Sequence, residues 1–112
     1  GNARGFAKYL QAILKDDILI GNKGKLKLFE EQKTNNGIEI GMCLSWFKGD
    51  LENEIYYTHA GGGGGYYCEI RIYPKKKLAS VIMFNRTGVS DERFLDNIDK
   101  CYLTKISYET NF

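Results

Sequence analysis

The 112-residue chain is 43% apolar, 27% charged and 13% aromatic, the composition of one small globular domain rather than a disordered segment. Sixteen Lys and Arg against fourteen Asp and Glu leave a net +2, too balanced to call for nucleic acid or an anionic membrane as partner. No run of about 18 apolar residues and no basic-then-apolar leader occurs, so neither a spanning helix nor a signal peptide is expected in this stretch; the start at Gly1-Asn2-Ala3, without Met, reads as a mature product or an excised piece.

In chain order, Phe6, Tyr9, Leu10, Ile13 and Leu14 recur at offsets of three and four, which predicts an amphipathic helix with Asn2 as its N-cap and an end near Asp17. From Gly21 to Gly37 apolar residues are sparse, and the stretch reads mostly as loop closed by the Asn36-Gly37 turn signal. Ile38, Ile40, Met42, Leu44 and Trp46 then alternate with smaller or polar residues, predicting a half-buried strand. After a turn around Gly49, Asp50 and Asn53, Ile55 to His59 forms a second strand that runs into five glycines, Gly61 to Gly65.

Tyr66 to Tyr73 resumes the strand pattern, and Tyr73-Pro74-Lys75-Lys76-Lys77 reads as a reverse turn. Leu78 to Phe84 is almost wholly apolar, as for a strand covered on both faces, and is placed at the centre of the sheet. Ser90 is the expected cap of a second helix with Asp91 and Glu92 in its first turn and a buried stripe of Phe94, Leu95, Ile98, Cys101 and Tyr102. The order predicts one α+β domain over residues 1–112: an antiparallel meander of about four strands flanked by N- and C-terminal helices. Cys43, Cys68 and Cys101, an odd number at wide spacing, read as buried free thiols rather than a disulfide framework or zinc site. No cofactor and no metal are expected.

Five adjacent glycines bury no side chains and lose much backbone freedom on folding, so a flexible hairpin loop competes with a close approach by something else. Neither phosphate-binding pattern fits. Tyr66 and Tyr67 stand where a Walker loop needs Lys and Ser or Thr, and Tyr66 stands where the dinucleotide fingerprint needs Gly or Ala. The lysines at 75–77 read as a solvated hairpin tip, since a net +2 promises no basic face for nucleic acid. His59 by itself reads as an ordinary strand-end histidine.

Tyr57-Thr58-His59-Ala60-Gly61-Gly62-Gly63-Gly64-Gly65-Tyr66, a strand to Tyr73-Pro74-Lys75-Lys76-Lys77-Leu78, and Val81-Ile82-Met83-Phe84-Asn85-Arg86 follow one another in an order that resembles the C-terminal third of the serine β-lactamase and penicillin-binding-protein-like hydrolases. The nearest branch comprises class C β-lactamases, DD-peptidases and related esterases. Cys43-Leu44-Ser45-Trp46 stands where that family often has Gly-Leu-Gly-Trp, and the helix from Ala3 to Leu14 resembles the one before it.

The resemblance implies that the chain is the C-terminal portion of a larger domain and that His59-Ala60-Gly61 is the third catalytic motif, on a strand that receives substrate backbone edge to edge. The Gly62 amide would form half of an oxyanion hole, His59 would place a hydrogen bond or charge beside the substrate, and Ala60, Gly61 and Gly63 would contact it. Small-molecule or peptide-like substrates and an extracytoplasmic bacterial setting are implied too. Ala60 departs from the hydroxyl residue of β-lactam-recognising members, which favours another amide or ester. The family's Ser-x-x-Lys and Tyr-x-Asn motifs belong upstream of residue 1. Ser45-Trp46-Phe47-Lys48 matches the first only in letters, because it falls in the predicted strand, where residues three apart face opposite ways.

The chain alone is therefore expected to be inactive. The alternative is a non-catalytic binding or structural module on the same sheet. A fragment of this kind leaves the flank of Leu78–Phe84 or of the last helix uncovered, from which a homodimer or domain swap through a sheet edge is expected.

Overall fold

The computed structural model describes residues 1–15, 21–89 and 93–110, without the side chains of 105–110. Helix α1 spans Ala3–Leu14, and its start is as the sequence dictates: the Asn2 carboxamide oxygen accepts the Gly5 N–H at 2.8 Å. It stops three residues short of Asp17, because Lys15 has already turned extended at φ −78°, ψ 149°. Leu10 and Ile13 are buried, whereas Tyr9 stays exposed.

A short helix α2, Asn22–Leu28, stands where loop was expected. It hides no residue fully but carries Leu28 and the following Phe29 against the core, and tertiary packing overrides the weak local pattern of Asn22-Lys23-Gly24-Lys25. The segment predicted as the first strand, Ile38–Trp46, is instead the returning arm of an irregular hairpin tied by Thr34 N–H to Ile38 O at 2.9 Å and Gln32 N–H to Met42 O at 2.7 Å. Gly41 and Ser45 sit at positive φ of 69° and 65°, and Cys43 N–H reaches Trp46 O at 2.6 Å. These turns break the pleat. Ile38, Ile40 and Leu44 consequently face solvent while Cys43 and Trp46 go inward.

The sheet begins one residue later, with β1 Phe47–Leu51, β2 Glu54–Gly63, β3 Tyr66–Tyr73 and β4 Leu78–Phe84 in the order β1-β2-β3-β4, all antiparallel. Helix α3, Phe94–Thr110, closes the chain, giving the α+β meander with helices at both ends that the sequence predicts. The first turn lies at Glu52-Asn53, both at positive φ, so Gly49 and Asp50 belong to β1 rather than to the turn.

Leu78–Phe84 is the edge of the sheet, not its centre. Ala79 and Val81 pack toward the α1 side and Ser80 bonds Asp99 of α3, so both faces of β4 are covered although, among the described residues, only one strand lies beside it. A continuous apolar run reports covered faces and says nothing about neighbours in the plane. The most buried strand is β3.

Helix α3 also presents a different stripe. Leu95, Asp99 and Leu103 are buried, whereas Phe94, Ile98, Cys101 and Tyr102 are exposed. The expected cap at Ser90 with Asp91 and Glu92 lies outside the described residues. The three thiols are free, with Cys43 buried, Cys68 half-buried and Cys101 exposed, so the expectation of buried packing is met in full only at Cys43.

Because side chains alternate along a strand, β3 has two characters. Ile70 and Ile72 join Leu10, Ile13, Cys43 and Trp46 in the apolar core beneath α1. Tyr67, Glu69, Arg71 and Tyr73 point the other way, toward α3.

Candidate functional site

The fold places His59–Gly63 at the far end of β2, beyond its partner in β1. Pairing with β1 runs from Leu51↔Glu54 to Phe47↔Thr58 and stops there, while pairing with β3 continues to Gly63↔Tyr66. One long side of this segment is therefore ladder and the other is open.

The direction of each amide follows from the two hairpins. Two-residue loops close on hydrogen-bonded pairs, and in an antiparallel ladder such pairs recur at every second residue. The loop at Glu52-Asn53 makes Glu54, Tyr56 and Thr58 the residues that bond β1, and the loop at Gly64-Gly65 makes Gly63, Gly61 and His59 those that bond β3. An independent check agrees: Lys48, whose N–H should point away from β2, donates to Gly41 O at 2.8 Å. By this alternation the N–H groups of Ala60 and Gly62 face the open edge, where no described strand lies. His59, Gly61 and Gly63 spend theirs on β3.

All five glycines are exposed; Gly61–Gly63 are strand, and only Gly64-Gly65 form the turn, with Gly65 at φ +84°. A Cβ on Gly63 would strike the Tyr66 ring at 2.7–2.8 Å, and one on Gly62 would meet Tyr67 at 3.3 Å, so both are spoken for by the following tyrosines. Gly61 is different: a Cβ there meets nothing within 4 Å. A cavity of about 210 Å³ lined by Gly62, Gly63, Tyr66, Tyr67, Gly88 and Val89 adjoins the open end.

His59 is exposed, its ring 5.8 Å from that of Phe47, the residue at which β1 ends. Ala60 is half-buried opposite Glu69. The literal Ser-x-x-Lys match is not assembled. Ser45 lies in the turn before β1, and the Lys48 ammonium is bound to Glu31 at 3.2 Å; the Gly41 N–H first, and then that pairing, hold the Glu31 carboxyl below its usual range. Lys76 pairs with Glu54 at 3.6 Å, as for a hairpin tip.

Sequence reasoning did not reveal the second constellation, on the α3 side of the same sheet. Arg71 is fully buried, and its guanidinium lies 3.9 Å over the Tyr56 ring, 3.2 Å from Glu69 Oε1, 2.5 Å from Asp96 Oδ1 and 3.6 Å from Asp99 Oδ2. Tyr73 Oη and Ser80 Oγ donate to Asp99 Oδ2 at 2.7 and 3.1 Å. Three carboxyls thus face one guanidinium. Burial pushes the carboxyls of Glu69 and Asp99 above their ordinary range, against the pull of Arg71 and their hydrogen-bond donors. Arg71 Nε and Asp99 Oδ1 are buried with no hydrogen-bond partner among the described residues.

The Tyr56 ring reaches Arg71 because Gly49 opposite it has no side chain; a Cβ there would lie 2.6 Å from the ring. The available signal was the alternation Glu69, Arg71, Tyr73 itself, which a period-two reading assigns to solvent. The cluster lies on the face that Ala60 shares, beginning at Glu69 directly opposite Ala60 and running along β3 to Tyr73 and Ser80. It braces α3 against the sheet rather than lining the open edge.

Compared with known protein families, curated proteins and solved structures, the chain matches none.

Proposed function

We propose that these residues are the C-terminal part of a β-lactamase-related serine hydrolase that cleaves an amide or ester through an acyl-enzyme, supplying the third-motif strand and half of the oxyanion hole but not the nucleophile. The observation that carries the reading is the open edge of β2, where the alternation of the ladder leaves the Gly62 N–H unspent. An N–H held by a strand and directed at solvent is a preorganised donor, and one such donor in a transition state is often worth ~3–4 kcal/mol. The empty space around the missing Gly61 side chain fits close approach by a substrate, since no packing within the chain requires a glycine there. Ser45 at φ 65° occupies a position of the Cys43-Leu44-Ser45-Trp46 turn where glycine is favoured, in keeping with the Gly-Leu-Gly-Trp of the family.

In this reading the carbonyl of an extended substrate lies beside Gly62 and its backbone pairs with Ala60, as an added strand would. His59 stands at the entrance against Phe47, where it donates to the substrate or to the acylated serine. Ala60, lacking a hydroxyl, offers no hold on a β-lactam carboxylate, so the substrate is a different amide or ester. The attacking serine and its base come from upstream of residue 1, because catalysis needs nucleophile, base and oxyanion donors in contact.

A serine-directed fluorophosphonate probe tests this. Applied to the full gene product and to the 112-residue chain, it should label only the former, at a serine preceding residue 1. A full product that is never labelled would discard the hydrolase and leave a binding module on the same sheet.

A further inference from the structure

We infer that Tyr67 is a positioning residue for the open edge of β2: its ring, wedged beneath Gly62, fixes where the Gly62 N–H points. The inference rests on the reading of that N–H as a donor to substrate.

From His59 outward β2 has one neighbour among the described residues, since its pairing with β1 ends at Thr58 while its pairing with β3 runs on to Gly63. Gly61, Gly62 and Gly63 bring no side chains to hold that one-sided stretch, and glycine gives up more backbone freedom than any other residue when it is fixed. Rigidity therefore has to come from across the ladder. An aromatic ring laid against a glycine of the neighbouring strand covers its backbone and keeps water from the hydrogen bonds beside it.

Both positions opposite the outer glycines of β2 are tyrosines, Tyr67 at Gly62 and Tyr66 at Gly63. Side chains alternate along a strand, so the two rings take opposite faces. The far end of Tyr66 occupies the place of a Gly63 side chain, and Tyr67 Cδ2 passes 3.3 Å from where a Gly62 Cβ would stand. The sheet uses the same pairing at Gly49, directly opposite Tyr56.

The two clamps are not equally fixed. Tyr66 is 59% exposed, whereas Tyr67 is 3% exposed, its ring stacked on Phe84 of β4 at 6.0 Å and met edge-on by Phe94 of α3 at 5.8 Å. Its Oη donates to Glu69 Oε2 at 3.4 Å, and Glu69 is held in turn by Arg71 at 3.2 Å and by the Leu95 N–H of α3. The ring against which Gly62 rests is thus tied to β4 and α3, and a stretch without side chains takes its position from them. The buried acid–arginine cluster gains a second use, as the footing of Tyr67.

Residue-resolved amide exchange on the chain, compared with Tyr67→Ala and Tyr67→Phe, tests this. Tyr67→Ala should speed exchange at Gly61 and Gly63, whose N–H groups bond β3, about tenfold relative to Glu54 and Tyr56, which bond β1 in the same strand. Tyr67→Phe keeps the ring and should restore both to within about threefold of the original rates. Should Tyr67→Ala not fold, Tyr67→Leu, which keeps buried bulk without a flat ring, carries the same comparison. In the full gene product the alanine or leucine variant should slow fluorophosphonate labelling of the upstream serine about tenfold, and Tyr67→Phe should restore it. Equal acceleration at all four amides would make Tyr67 a stabiliser of the whole sheet and overturn the inference, as would unmoved rates at Gly61 and Gly63 or labelling that ignores the variant. Those outcomes leave the reading of Gly62 standing when its N–H exchanges fast in the original chain. Slow exchange at Gly62, or a full product that is never labelled, removes that reading itself, and the inference falls with it.

Discussion

The two faces of the sheet are held by opposite means. Under α1, Leu10, Ile13, Trp46 and Ile72 make an apolar core whose stability comes from area removed from water. Under α3, a buried Arg71 is matched to Glu69, Asp96 and Asp99, an arrangement in which the cost of desolvating charges offsets most of their attraction. Both faces hold a helix against β3 and β4, but the apolar face tolerates imperfect packing, whereas the ionic face is intact only while every partner is present.

The largest expected effect breaks that second face. Arg71→Ala should cost about 3–5 kcal/mol by equilibrium denaturation, because it removes the cation that the buried carboxyls of Glu69 and Asp99 face. Leu10→Ala, at a fully buried position beneath the other face, should cost about 2–5 kcal/mol through lost burial and a residual cavity. The contrast lies in pH: the Leu10 penalty should not change as pH falls, and the Arg71 penalty should shrink as the stranded acids take up protons.

Acidification sharpens the comparison further. The folded-state values of Glu69 and Asp99 are raised above those of the unfolded chain, so the native state holds their protons more tightly. The stability they contribute is complete below the ordinary carboxylate range near 4 and is lost as pH rises through the raised values. Asp99→Asn keeps an oxygen for the Tyr73 and Ser80 hydroxyls while removing the charge. It should flatten the dependence of unfolding free energy on pH above the ordinary carboxylate range near 4, and a slope equal to that of the original chain would contradict the assignment.

The smallest effect sits outside both faces. Ser45→Gly relieves a left-handed residue at φ 65° and should stabilise the chain by about 0.5–1 kcal/mol, read as a shift in denaturation midpoint without a change in slope.

What the sequence revealed follows from the same contrast. Helical spacing at Leu10 and Ile13, the Asn2 cap, and the strands over 55–59, 66–73 and 78–84 were legible because their apolar patterns agree with local propensity, whereas the continuation of β2 through Ala60 to Gly63 was not. The apolar alternation from Ile38 to Trp46 misled, since Gly41 and Ser45 turn the backbone out of the pleat and leave those side chains in solvent. The stripe on α3 was misplaced for the reverse reason: Asp99 goes inward to meet Tyr73, Ser80 and Arg71, and a hydrophobic count has no means of seeing a buried acid. At the candidate site, the motif His59-Ala60-Gly61 was visible as a string of residues. That β1 ends at Phe47, leaving Ala60 and Gly62 directed outward, depends on hairpin lengths and became readable only with the register.

Backbone amide exchange along β2 by NMR tests the central claim most directly. The N–H groups of Ala60 and Gly62 should exchange fast and those of His59, Gly61 and Gly63 slowly, at concentrations where the chain is monomeric. Protection at Gly62 with rapid exchange at Gly61 would reverse the parity of the strand and remove the donor on which the proposed chemistry rests.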